Sequence, residues 1–119
     1  VKSKYHSIFM IAETPRPPYF AVIFTSLRTE GDNGYALMAD KMIALAQIQD
    51  GFLGVESARE ETGITVSYWR DLESILRWKV NTEHTLARAK GRSLWYKSFK
   101  VRIAKVEHDY EFTETLSEQ

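Results

Sequence analysis

The feature that most constrains this chain is the order in which two hydrophobic periods alternate along it. Tyr19 to Leu27 (YFAVIFTSL) is dense in aromatic and β-branched residues over the length of one strand. A turn cluster, Gly31-Asp32-Asn33-Gly34, follows it. Tyr35, Met38, Met42 and Leu45 then recur at spacings of three and four, the mark of a helix with one apolar stripe, here expected to reach Gln49. Asp50-Gly51 breaks that helix, and Phe52 to Arg59 reads as a second strand. Glu61-Thr62-Gly63 is read as a hairpin in which Gly63 supplies a positive φ, leading into a third strand over Ile64 to Arg70. Asp71 stands at the N-cap position of a second helix whose stripe begins at Leu72, Ile75 and Leu76 and carries through Trp78 toward Leu86. Asn81-Thr82 is expected to kink it and Gly91 to end it. Trp95 to Val106 alternates as a long fourth strand, with Phe99, Val101 and Ile103 on one face and Ser98, Lys100 and Arg102 on the other.

This order is β-α-β-β-α-β, so the expected fold class is α+β, ferredoxin-like, with two helices over one face of a four-stranded antiparallel sheet. A single copy would leave the second sheet face open to water, with more apolar area than monomers normally expose. A homodimer through the sheet faces, closing a dimeric α+β barrel about a two-fold axis, is the expected remedy, and the chain after His108 is placed to reach over the partner. Residues 1–18 are read as an extended lead-in shaped by Pro15, Pro17 and Pro18, with the part before Met10 an added or over-long start. Residues 19–112 form the one domain, and 113–119 a polar, frayed tail.

Composition excludes several classes of function. The 119 residues carry 16 basic and 16 acidic side chains, so no broad positive field draws in nucleic acid or an anionic membrane. No run approaches the roughly 20 apolar residues of a membrane span, and Val1 to Phe9 lacks the apolar core of a signal peptide. The absence of cysteine removes thiolate chemistry and fits a reducing, cytoplasmic setting. His6, His84 and His108 show no ligand spacing, and no carboxylates complete a metal set, so no metal is expected. No phosphate loop or dinucleotide fingerprint is present, and no organic cofactor is expected.

Three segments, DGFLGVES, GITVSYWRDLESILRWKVNTEH and GRSLWYKSFKVRIAKVEHDYEF, resemble in order and spacing the antibiotic biosynthesis monooxygenase family of dimeric α+β barrels. The resemblance spans about Tyr19 to Phe112. It rests on Gly51-Phe52-Leu53-Gly54, on Trp69 before an acidic helix start, on Trp78 nine residues later, and on Glu83-His84. It implies cofactor-independent oxidation of a small aromatic or polycyclic compound in a pocket between helices and sheet. The alternative is a dimeric small-ligand-binding or stress-related protein without enzymatic activity. The family's haem-degrading branch is disfavoured: its tryptophan falls on Trp78, but its histidine ligand falls on Arg88 and its asparagine near Phe24.

The candidate catalytic residues are His84, as a general base, and Arg88, one turn further along the same helical face, as a group that stabilises a phenolate. Against this, His84 is a plausible packing or capping residue at the expected helix kink. Trp78, Phe24, Tyr68 and Trp69 are the candidate substrate-binding residues, since rings of this kind stack on aromatic ligands. The plainer reading makes Trp69, Trp95 and Tyr96 packing anchors and puts Lys100 and Arg102 on a solvated strand face.

Overall fold

The computed structural model describes residues 10–88 and 92–115, and at 84–88, 92 and 93 the backbone alone. Its elements are β1 (Tyr19–Arg28), α1 (Tyr35–Gln47), β2 (Phe52–Arg59), β3 (Thr62–Trp69), α2 (Leu72–Arg88), the single-turn α3 (Arg92–Trp95) and β4 (Tyr96–Val106). The strands form one antiparallel sheet in the order β2-β3-β1-β4. This is the ferredoxin-like arrangement.

Side chains directly opposite each other in antiparallel strands share a face, so the register sorts the sheet. Phe20 pairs with Trp69, Val22 with Ser67 and Ile103, Phe24 with Thr65 and Val101, and Ser26 with Gly63 and Phe99. The stacking of Trp69 on Trp78 of α2 identifies this as the helix-covered face. The opposite face carries Tyr19, Ala21, Ile23, Thr25 and Leu27 of β1, with Ile64, Val66 and Tyr68 of β3 and Lys100 and Arg102 of β4.

Local chemistry sets the helix boundaries. Asp32 accepts from the N–H groups of Gly34 and Ala36 at 3.0 and 3.1 Å, satisfying donors at the start of α1. Gly34, at φ +85°, makes the turn into the helix. α1 ends at Gln47, two residues short of the expected Gln49, and Gln49 closes the turn through its N–H to the Ala46 carbonyl. Asp71 caps α2 through the Ser74 N–H at 2.8 Å and the Ser74 hydroxyl at 2.7 Å.

Three sequence expectations are corrected. Gly63 is an extended residue inside β3, which starts at Thr62; the chain reverses at Glu60-Glu61, where the Glu60 N–H reaches the Thr62 carbonyl. α2 runs unbroken through Asn81-Thr82, because the Thr82 hydroxyl donates to the Lys79 carbonyl inside the helix and the Asn81 amide donates outward to Gln49. Trp95 belongs to α3 and β4 begins at Tyr96. Gly91 lies outside the described residues, as do residues 1–9 and the end of the tail.

Candidate functional site

Two aromatic clusters lie on the helix-covered face, separated by the four residues from Phe20 to Phe24, or about 13 Å of strand. The first surrounds Trp69. Its indole is fully buried and donates to the Ser67 hydroxyl at 2.8 Å. It stacks on Trp78 with ring centroids 5.8 Å apart and meets Phe52 edge-on at 5.4 Å. Trp69 is therefore the anchor between sheet and α2, while the half-buried Trp78 keeps part of its ring accessible.

The second cluster lies at the opposite end of the strands and contains residues that periodicity did not single out. Phe24, Tyr96 and Phe99 meet pairwise at 5.3 to 5.7 Å, and Tyr35, the first residue of α1, meets Tyr96 edge-on at 5.8 Å. Two arginines close over this group. The Arg28 guanidinium stands 3.6 Å from the Tyr35 ring centre and donates to the carbonyls of Trp95, Gly31 and Asp32, so it also stitches the loop after β1 to α3. The Arg59 guanidinium stands 5.9 Å from the same ring and donates to the Ser26 hydroxyl. No carboxylate of the described residues pairs with either arginine, in contrast to Arg70 and Arg77, which bind Asp50, Asp71 and Glu73.

Gly63 is what admits Arg59. A Cβ at Gly63 would fall 2.1 Å from the Arg59 guanidinium carbon, so the missing side chain is the seat of the cation. The Tyr96 phenol is pushed above its ordinary value, first by burial and then by the Tyr35 phenol beside it; Arg59 and Arg28 act in the opposite direction. The end of the helix layer thus holds aromatic walls, the buried Tyr96 phenol and cationic charge with spare donors on an exposed guanidinium.

The structure places the expected site residues in three groups. Trp78 and Trp69 are stacked together, and Phe24 lies in the second cluster on the same face. Tyr68 is on the opposite face, donating to Glu56 at 2.7 Å and meeting Tyr19 edge-on at 5.8 Å. Burial, then the Glu56 hydrogen bond, hold its phenol above the ordinary value. His84 and Arg88 fall on the last turns of α2, and their side chains lie outside the described residues. Arg28, Arg59 and Tyr35 were missed because they are far apart in the chain and each looks like an ordinary turn or strand-end residue; only the register brings them together. Among the described residues no helix is long and apolar enough to cross a membrane.

YqjZ, an uncharacterized protein of Bacillus subtilis, is 50% identical over 110 residues, covering 91% of this chain and 96% of its own. The chain belongs to the YqjZ family. No family model matches it. The YqjZ family fold is shared by PA3566 of Pseudomonas aeruginosa, with a TM-score of 0.61 at 18% identity over 81% of this chain and 99% of that one. It is also shared by SnoaB, a cofactor-independent oxygenase of Streptomyces nogalater, with a TM-score of 0.60 at 12% identity over 82% of this chain and 100% of that one. A Bordetella bronchiseptica protein described as an antibiotic biosynthesis monooxygenase aligns with a TM-score of 0.58 at 13% identity, over 74% of this chain and 96% of that one. The fold is thus that of the antibiotic biosynthesis monooxygenases.

Proposed function

We propose that this protein is a homodimeric, cofactor-independent oxygenase for an electron-rich phenolic, aromatic or polycyclic compound, bound on the helix-covered face of the sheet. The observation that carries the proposal is the pair of arginines without carboxylate partners among the described residues, set over the Phe24, Tyr35, Tyr96 and Phe99 rings. Aromatic walls orient a flat ligand, and a nearby guanidinium stabilises its phenolate, the form that gives up electrons to oxygen. In an anthrone-type substrate a ring CH2 becomes a carbonyl; one atom of O2 enters the product and the other leaves as water. Trp78 would extend the stacking surface, and His84 with Arg88 on α2 would handle proton and charge. The fold shared with SnoaB supports this reading.

The test is oxygen uptake with 1,8-dihydroxyanthrone, alongside equilibrium binding of the same compound. Turnover that falls at least tenfold in Arg59→Ala and in His84→Ala supports the oxygenase. Binding that depends on Arg59 without oxygen uptake identifies a ligand-binding protein instead. Failure to bind overturns both.

A further inference from the structure

The helix layer covers its face of the sheet unevenly. α1 packs chiefly against β2 and α2 against β3, so β1 and β4 carry the part of this face that the helices leave more open. Register and alternation put Phe99, Val101, Ile103 and Lys105 of β4 on it, opposite Ser26, Phe24, Val22 and Phe20 of β1. Val101 is 47% exposed and Ile103 52%, while Val22 and Phe24 beside them are half-buried. An aliphatic floor of Val22, Val101 and Ile103 therefore starts at the Phe24 and Phe99 rings and runs along the strands, away from Arg28 and Arg59. The Lys105 position, opposite Phe20, closes it.

The dimensions and chemistry of this floor decide what can lie on it. Neighbouring strands are about 5 Å apart, and the four residues from Phe99 to Ile103 advance about 13 Å. A strip of that size is a small fraction of the roughly 800 Å² that each partner contributes to a stable protein interface, so a folded partner gains little from it. One extended alkyl chain fits: at about 1.25 Å per carbon, set by bonds of about 1.52 Å, about ten carbons reach from Phe99 to Ile103. Branched aliphatic side chains also give a further ring no face to stack on, whereas the Phe24, Tyr35, Tyr96 and Phe99 cluster at the head of the strip does.

We propose that the ligand is amphipathic, with a phenolic head among these four rings, its oxygen at Arg59, and an unbranched aliphatic tail lying on Val22, Val101 and Ile103. The proposal rests on the phenol-binding reading above and narrows its substrate class to phenols that carry an alkyl chain. Cation and rings at one end and hydrocarbon along the rest fix which way round such a molecule lies.

A homologous series tests it. 5-Alkylresorcinols from methyl to dodecyl, titrated calorimetrically below their critical micelle concentrations, present one head on tails of increasing length. Wild type is expected to bind about twofold more tightly per added carbon, half the gain of full burial because the strip covers one side of the chain. The gain is expected to stop near about ten carbons, where the strip ends. In the double variant Val101→Ser with Ile103→Ser, changed at two half-exposed positions, the gain is expected to vanish while the methyl compound binds as to wild type. Arg59→Ala is expected to weaken every member by the same factor of about ten. Affinity that does not rise with chain length, or a rise that survives in the double variant, overturns the tail site. Long members that bind wild type and Arg59→Ala equally, with the gain still lost in the double variant, keep the tail site and remove the phenol-binding reading. No binding by any member overturns the tail site, and 1,8-dihydroxyanthrone, a head without a tail, then reports separately on the proposed activity.

Discussion

Gly63 and Gly51 illustrate how differently two glycines are required. At Gly63 the backbone is ordinary strand, and an added methyl meets first the guanidinium of Arg59, the flexible end of a long side chain. Gly63→Ala is expected to displace Arg59 at a stability cost under about 1 kcal/mol. The loss of charged donors would weaken anthrone binding about tenfold, as a calorimetric titration beside a thermal melt would show. Gly51 has φ +91°, and its Cβ would fall 2.0 Å from the hydroxyl of the buried Ser74. Gly51→Ala is expected to cost more than about 3 kcal/mol in urea unfolding, because backbone strain and overlap add. Asp71 governs pH dependence at this scale. The Ser74 hydroxyl, then the Ser74 N–H, lower its carboxyl to about 2. A depressed carboxyl contributes stability above its unfolded value near 4 and loses it as pH falls toward 2. The stability difference between wild type and Asp71→Ala is therefore expected to persist at pH 5 and shrink markedly by pH 2.5 in denaturant titrations.

At the scale of elements, the join between the sheet and α2 depends on one residue. Trp69 ends β3, is fully buried between Phe52 and Trp78, and precedes the Asp71 cap by two positions. Trp69→Ala is expected to destabilise the fold by about 3 to 5 kcal/mol, read from chemical denaturation. The ion pairs nearby, Arg70 with Asp50 and Arg77 with Glu73, are exposed and add little by comparison. The element order and the two faces of β4 were legible because alternation and three-four spacing report local burial. The hairpin was misplaced by two residues because a glycine beside acids looks like a turn; its real role, room for Arg59, depends on a side chain arriving from the neighbouring strand. The continuous α2 was missed because Asn81 finds its partner on Gln49 rather than on its own backbone.

For the whole molecule, the helix-free face is the one through which the proposed homodimer would form. Leu27 and Ile64, 43% and 45% exposed, lie on that face. Leu27→Lys is expected to weaken dimerisation by at least tenfold in sedimentation while the far-ultraviolet circular dichroism stays unchanged, since burial of one leucine is worth about 1.5 to 3 kcal/mol and a two-fold interface counts it twice.

The sequence by itself determined the β-α-β-β-α-β order, the N-cap at Asp71 and the segregation of polar from apolar residues on β4. Each of these follows from neighbours within a few positions, where backbone period and capping chemistry act. Only the tertiary structure decided that Arg28, Arg59, Tyr35 and Tyr96 converge and that Tyr68 leaves the helix-covered site for Glu56. Those relations join residues tens of positions apart, and strand register, a property of pairs of strands, is what brings them together.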